Sequence, residues 1–276
     1  MRCRESGASF FKIKGGMNMF GQWIKWDTPT GTVRAAFTTK FAAPHENGNL
    51  GLHVNDDRDG VIQNRQVIAR QLDLSLENSI WAQQVHGNHV EQVTTLDSGR
   101  GALDYETAIP GTDGLVTTDS NVLLMMLFAD CVPLVFCDPT TGIIANTHAG
   151  WRGTVGNIVE ETVKQMECAG ASRSSIQMVI GPSIRDCCYE VDQPVIDAID
   201  ALELDESPYI RKEDGKAMLS LQKTNAALAE RCGVGDVLDT GLCTHCQAED
   251  YFSYRHGDHG GRFASLIVKE SLDVNS

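Results

Sequence analysis

No stretch of this sequence approaches the roughly 20 consecutive apolar residues that a membrane-spanning helix needs, so no membrane partner is expected. Positive charge is scarce as well: Lys and Arg number 23 against 37 Asp and Glu, and 23 − 37 leaves a net −14. Non-specific binding to nucleic acid or to an anionic membrane requires clustered cations, so neither class of partner is expected. An anionic substrate would have to be held by individual Arg residues against the overall field. The N-terminal "MRCRESGASFFKIKGGMNMF" lacks the continuous apolar core of a secretory signal; it reads as an extension, with Met17 or Met19 as an alternative start. Repeats, low-complexity segments and Pro/Ser-rich linkers are absent. Nine cysteines form an odd, scattered set with Cys187 and Cys188 adjacent. That pattern suits reduced thiols rather than a disulfide framework, and a cytoplasmic location is expected.

What is present reads as one large domain of 276 residues with an ordinary apolar fraction of 42%. "GTVRAAFTTK" (31–40) reads as a strand, and "DDRDGVIQNRQVIARQLDL" as a helix with Val61, Ile62, Ile68, Ala69 and Leu72 near helical spacing. "SIWAQQVHGNHVEQVT" suggests two strands joined by a turn at "HGNH". The apolar run Val122–Phe128 predicts a buried strand, "PLVFC" a second, and "IIANTH" a third after the turn "DPTTG". From Thr154 a helix is expected to run to about Gly170; "IQMVIG" is another buried strand, and "MLSLQKTNAALAERCG" a helix stopped at Gly233. Strands and helices without a strict βαβ rhythm predict an α/β (α+β) mixed-sheet sandwich. Residues 1–30 are taken as the partly ordered extension and 31–276 as the domain.

Soft ligands recur at strand ends. Cys131 follows the buried strand beside Asp130, and Pro133 comes two residues later. His148 ends the next strand but one, and a strand–turn–strand path brings the two together. His86 in "QQVHGNH" is a third, again next to glycine. A buried thiol or an ordinary histidine explains each of them singly. Together, two His and one Cys fit a catalytic zinc, whose fourth position stays open for water or substrate. Such an ion would hold Cys131 as thiolate and lower the pKa of a water to about 7. A competing zinc set pairs "HVE" (His89, Glu91) with "CTHC" (Cys243, Cys246), similar to the zinc deaminase signature, but Leu242 stands where proline is expected. The glycine-rich "YFSYRHGDHGGR" gathers Arg255, His256, His259 and Arg262. Guanidinium forks on such a backbone suit oxyanions, and with Arg152 they form a candidate anion pocket.

In order along the chain, "NLGLHVNDD" (49–57), "QQVHG" (83–87), "DGLVT" (113–117), "ADCVPLVFCDP" (129–139), "HAGWRGT" (148–154), "IGPSI" (180–184), "CYEV" (188–191) and "YFSYRHGDHGGR" (251–262) resemble the YfiH family. That family is variously called laccase-like multicopper polyphenol oxidase, peptidoglycan editing factor PgeF and purine nucleoside phosphorylase. The resemblance covers about residues 33–268 and implies a fold related to the catalytic domain of cytotoxic necrotizing factor. It implies zinc on His86, Cys131 and His148, and phosphorolysis of adenosine, inosine, guanosine and 5′-methylthioadenosine, with adenosine deamination at the same site. The implied substrates are purine nucleosides and phosphate, handled by a monomer or homodimer. Arg152 and Arg255 become phosphate or substrate contacts, Asn49 and His53 further substrate residues, and Asp130 a carboxylate for proton transfer. The family's Tyr-Arg-Arg reads Tyr254-Arg255-His256 here, so the second Arg's role becomes pH-dependent or is lost. Alternatives stay open: a cysteine hydrolase using Cys131 and His148, a copper polyphenol oxidase, and a peptidoglycan-precursor editing or binding module. In the last, Cys243 or Cys246 would close a structural zinc site.

Overall fold

The computed structural model describes residues 9–11, 19–41, 45–54 and 57–271. Its layering follows from strands whose two faces are both apolar. Strand β7 (Leu123–Phe128) is buried throughout: Leu124, Met126 and Phe128 point into one core, and Leu123, Met125 and Leu127 into another. The period-2 alternation of a strand does this only when both sheet faces are covered.

Two six-stranded sheets stack face to face. The first runs β1 (Ser9–Phe11), β2 (Phe20–Thr28), β3 (Gly31–Thr38), β15 (Phe263–Ser271), β7 and β4 (Ser79–Trp81). The second runs β14 (Asp236–Asp239), β10 (Gln177–Ile180), β8 (Val132–Asp138), β9 (Ile143–Ala149), β6 (Gly114–Thr117) and β5 (Val90–Gln92). A small third sheet, β11 (Glu190–Val191), β13 (Ala217–Leu219) and β12 (Tyr209–Arg211), stands beside them. Both parallel and antiparallel pairs occur in each large sheet. Helix α1 (Arg58–Arg70) covers the outer face of the first sheet, and Ile68 and Ala69 share its core. Helices α2 (Trp151–Val155), α3 (Ile158–Cys168), α4 (Gln193–Asp200) and α5 (Leu221–Arg231) pack on the second. The architecture is the expected mixed-sheet sandwich. Asn146 ties the sheets across the buried core: its Nδ2 donates to the carbonyls of Leu124 at 3.0 Å and Ser265 at 3.1 Å.

Three details differ from the sequence reading. The stretch 1–30 supplies β2 to the first sheet, with Trp23, Ile24 and Trp26 buried and Thr28 facing Gly31 across the hairpin. Met17 lies outside the described residues. The two strands around "HGNH" do not form a hairpin, because β4 belongs to the first sheet and β5 to the second. Finally, the helix expected from Thr154 is two helices. Asn157 sits in the left-handed region at φ 55° and caps the second through a bond from the Glu160 N–H, so the axis breaks there.

Candidate functional site

The chain crosses between the sheets in the segment after β4 and again after β7, and each crossing delivers one soft donor side chain. His86 lies in the first crossing, with φ 61°. Cys131 closes the second, just past Asp130, which also has positive φ at 90°. His148 comes from β9, whose antiparallel pairing with β8 sets it opposite Pro133. The donor atoms of His86, Cys131 and His148 all lie within 4.8 Å of one another. The two imidazoles meet edge to face, with centroids 4.8 Å apart.

A fourth residue, missed by the sequence reading, organises the two histidines. Asp113, fully buried, accepts from His148 Nδ1 at 2.8 Å, and its carbonyl accepts the His148 N–H at 2.7 Å. Its carboxylate also takes the backbone N–H groups of Val85, His86 and Gly87, at 3.2, 3.0 and 2.7 Å. One carboxylate thus fixes the loop bearing His86 and turns His148 so that Nε2 is left for a ligand. A carboxylate behind a metal-binding histidine does this routinely. Its motif, "DGLVT", belongs to the family resemblance, but an Asp 35 residues before His148 carries no local sign of contact.

The electrostatics agree. Burial alone would raise the Cys131 thiol, but the His148 and His86 rings outweigh it and bring Cys131 down to about 6. Burial would lower His148, yet Cys131 and Asp113 lift it to about 9. Without a bound cation the pair is therefore a thiolate beside an imidazolium.

The glycines around Trp151 and Arg152 have steric reasons. A Cβ on Gly150 would stand 3.2 Å from both Cys131 Sγ and His86 Cδ2. One on Gly153 would meet the Gly87 carbonyl oxygen at 2.7 Å. The turn can press against the triad only because both are glycine. Two His and one Cys around such a cradle are a donor set that could hold a metal ion. Cys243 and Cys246 lie elsewhere, so neither closes this set.

The triad lies between two cavities. The larger, about 350 Å³, is lined by His53, Tyr105, Tyr254, Arg255 and Arg262 among others; the smaller, about 230 Å³, by Trp151, Arg152 and Leu221. Asp130, His86, Cys131, Ile184 and Tyr189 border both. Arg152 and Arg255 therefore line different chambers. Arg255 stacks over Tyr189 at 5.3 Å and donates to the Glu190 carbonyl at 3.2 Å, while Arg152 lies 4.3 Å over the Trp151 ring. His53 opens onto the larger cavity, yet desolvation by its walls, with Arg262 and Arg65, holds it down at about 4. It is a neutral ring at pH 7.

The remaining predicted residues are placed as follows. Asp130 accepts from Thr244 Oγ1 at 2.7 Å and from the Arg255 N–H at 2.7 Å, one bond to each carboxylate oxygen. Asn49 is fully buried and does not line either cavity; its Oδ1 accepts the N–H groups of Gly51 and Arg262, both at 2.9 Å. His256 packs its ring on His245 at 5.3 Å and is not among the cavity-lining residues. The deaminase-like pairing does not form. His89 bonds Glu91 at 3.0 Å near β5, at one edge of the second sheet, and "CTHC" follows β14, at the opposite edge.

The chain is similar to known proteins over most of its length. A family model described as multi-copper polyphenol oxidoreductase laccase matches residues 34–270. Purine nucleoside phosphorylase YlmD of Bacillus subtilis is 39% identical over 265 residues, 92% of this chain and 95% of that protein. Adenosine deaminase RL5, from an unknown prokaryotic organism, is 33% identical and spans 86% of this chain and 94% of its own length. The crystal structure of YlmD from Geobacillus stearothermophilus superposes with a TM-score of 0.84 at 36% identity, covering 92% of this chain and 100% of that one. A Bacillus licheniformis protein, YfiH, superposes at 0.83 and 36% identity, over 88% and 98%. No helix among the described residues is long and apolar enough to cross a membrane.

Proposed function

This chain belongs to the YfiH-type, multi-copper polyphenol oxidoreductase laccase family, and from that premise we propose that it is a zinc-dependent purine nucleoside phosphorylase that also deaminates adenosine. The observation that carries the reading is the three-donor set His86, Cys131 and His148 standing between two cavities, each with its own arginine. Relatives named purine nucleoside phosphorylase and adenosine deaminase support it. When bound there, zinc supplies Lewis acidity and makes water a competent nucleophile near neutral pH.

The chain's own residues do the rest. A cavity of about 350 Å³ lies within the range of roughly 300–1,000 Å³ typical of small-molecule sites. Tyr105 and Tyr254 offer ring faces to a purine, and neutral His53 adds a polar contact that does not repel the cationic arginines. The substrates are adenosine, inosine, guanosine and 5′-methylthioadenosine. In phosphorolysis a phosphate oxygen bonds to C1′ while the bond to the purine nitrogen breaks and its electron pair leaves with the base. Arg152 and Arg255 hold the phosphate from the two sides of the triad, and its charge stabilises the cation-like sugar. In deamination, water adds at C6 and ammonia leaves. Asp130, with each oxygen already accepting one bond, acts chiefly by positioning the Arg255 loop. Asp113 keeps His148 in the productive tautomer.

One rival has its own support: Cys131, His148 and Asp113 also form a thiolate–imidazolium–carboxylate array suited to a cysteine hydrolase. Product analysis on adenosine separates the two. Adenine and ribose 1-phosphate should form with phosphate, inosine should appear as the side product, and raising phosphate should increase the adenine-to-inosine ratio. Chelation should abolish both activities. Amide hydrolysis that survives chelation, with no nucleoside turnover in zinc-loaded protein, would replace this reading with the hydrolase.

A further inference from the structure

Four more cysteines gather at the opposite edge of the second sheet from β5. Cys187 and Cys188 lie in the loop after β10, and Cys243 and Cys246 in the loop after β14. Strands β10 and β14 pair in parallel, and a bridge between Ser183 and Cys243 extends their pairing into these loops. Cys187 Sγ stands 3.6 Å from Cys243 Sγ and 3.6 Å from Cys246 Sγ, and Cys188 Sγ 3.3 Å from Cys246 Sγ. All four sulfurs fall within 4.8 Å of one another. A disulfide needs about 2.05 Å. Sulfurs bound at about 2.3 Å to one tetrahedral zinc stand about 3.8 Å apart, which is close to the spacing here.

The backbone is arranged for a thiolate too. The N–H groups of Cys246 and Arg185 aim at the Cys243 sulfur. A backbone N–H donated to the first cysteine of a Cys-x-x-Cys turn stabilises the anionic ligand. Four thiols held this close without a disulfide have the donor number and spacing that one tetrahedral dication takes.

We propose that Cys187, Cys188, Cys243 and Cys246 form a four-thiolate zinc site that clamps two loops at the rim of the nucleoside cavity. Four protein ligands leave no open position, so its role is structural. The clamp reaches the first site through its neighbours. Tyr189, next to Cys188, borders both cavities. Thr244, between Cys243 and Cys246, donates to Asp130 at 2.7 Å, and the Ile184 N–H donates to the Asp130 carbonyl at 3.0 Å. The ion would hold Asp130, and through it the Arg255 loop, in place.

The test uses the full chain carrying Cys131→Ser, so that the other donor set contributes as little as possible. After zinc loading and desalting, metal analysis should find about one zinc per chain. Cobalt substitution should give the intense visible bands of a tetrahedral four-thiolate ion. Adding Cys246→Ser should remove the metal and those bands and lower the melting temperature. The proposal is overturned if the Cys131→Ser protein holds no metal, if mass mapping finds a Cys188–Cys246 disulfide in its place, or if Cys246→Ser keeps the parent's metal content. Should the double variant fail to fold, the cobalt spectrum of the single variant decides alone, and its lack of thiolate charge-transfer bands sinks the idea.

Discussion

The two clusters of soft donors are built from similar residues and set in opposite surroundings. His86, Cys131 and His148 stand where the chain passes between the sheets, bordered by cavities and backed by a buried carboxylate. Cys187, Cys188, Cys243 and Cys246 stand at a sheet edge, joining two loops, with backbone N–H groups aimed at the Cys243 sulfur. In the first, three donors and an open side favour chemistry; in the second, four donors favour a clasp. What separates them is the number of donors and the room beside them, since thiolate serves in both. Removing one sulfur from each gives the sharpest contrast. Cys131→Ala should lower phosphorolysis by roughly a thousandfold, since Lewis-acid stabilisation of several kcal/mol is lost, with little change in melting temperature. Cys246→Ser should show the reverse balance: a drop of several degrees and a much smaller loss of rate. Equal losses of rate in both would dissolve the distinction.

A second cut falls behind the first cluster. Asp113→Asn keeps the size but removes the charge that holds His148, and it sets an amide against three backbone N–H donors. Metal affinity at the triad, read by competition with a chelating dye, should fall about 10–100-fold, with activity following. Metal at the four-cysteine cluster should be untouched. An Asp113→Asn protein that retains full affinity would mean the carboxylate merely packs.

These predictions involve residues that were unequally legible in the sequence. The run from Val122 to Ala149 announced its strands, because fully buried strands must be continuously apolar. His86, Cys131 and His148 stood out because soft ligands beside Gly or Pro at strand ends are rare. Asp113 did not, since its contact with His148 is made by the pairing of β6 with β9 and not by any local spacing. Asn49, expected as a substrate residue, does not line the cavity, but its Oδ1 accepts the N–H of Arg262, which does. Cys187 and Cys188 looked like incidental reduced thiols because their partners lie more than 50 residues away, across a parallel strand pair. The break at Asn157 was hidden by apolar residues that keep helical spacing on both sides of it.

A third test concerns the arginines. Arg255 is exposed and its guanidinium has one backbone bond, so it carries little of the fold. Arg255→Ala should raise KM for phosphate about tenfold, the loss expected for one charge-assisted contact, with kcat and melting temperature nearly unchanged. Arg152→Ala should act alike from the smaller chamber if both hold one phosphate. If only one of them affects phosphate, the two chambers take different parts of the substrate. A fall in stability with unchanged kinetics would make them structural.

The smallest effect separates the two clusters in metal-free protein. Cys131 is held at about 6 by the cationic rings beside it, whereas burial holds Cys187 up at about 11. Alkylation follows the thiolate fraction. A depressed pKa means the anion is present above pH 6 and is lost only as pH falls through that value. Between pH 8 and pH 6 the labelling rate of Cys131 should therefore drop only about twofold, where an ordinary thiol near 8.5 would drop about 75-fold. Cys187 should remain nearly unlabelled over the same range. Peptide mapping after brief iodoacetamide exposure reads both sites in one sample. If Cys131 instead shows the steep profile, the imidazoles do not polarise it, and the hydrolase alternative falls while the metal reading, which needs thiolate only once the ion is bound, remains.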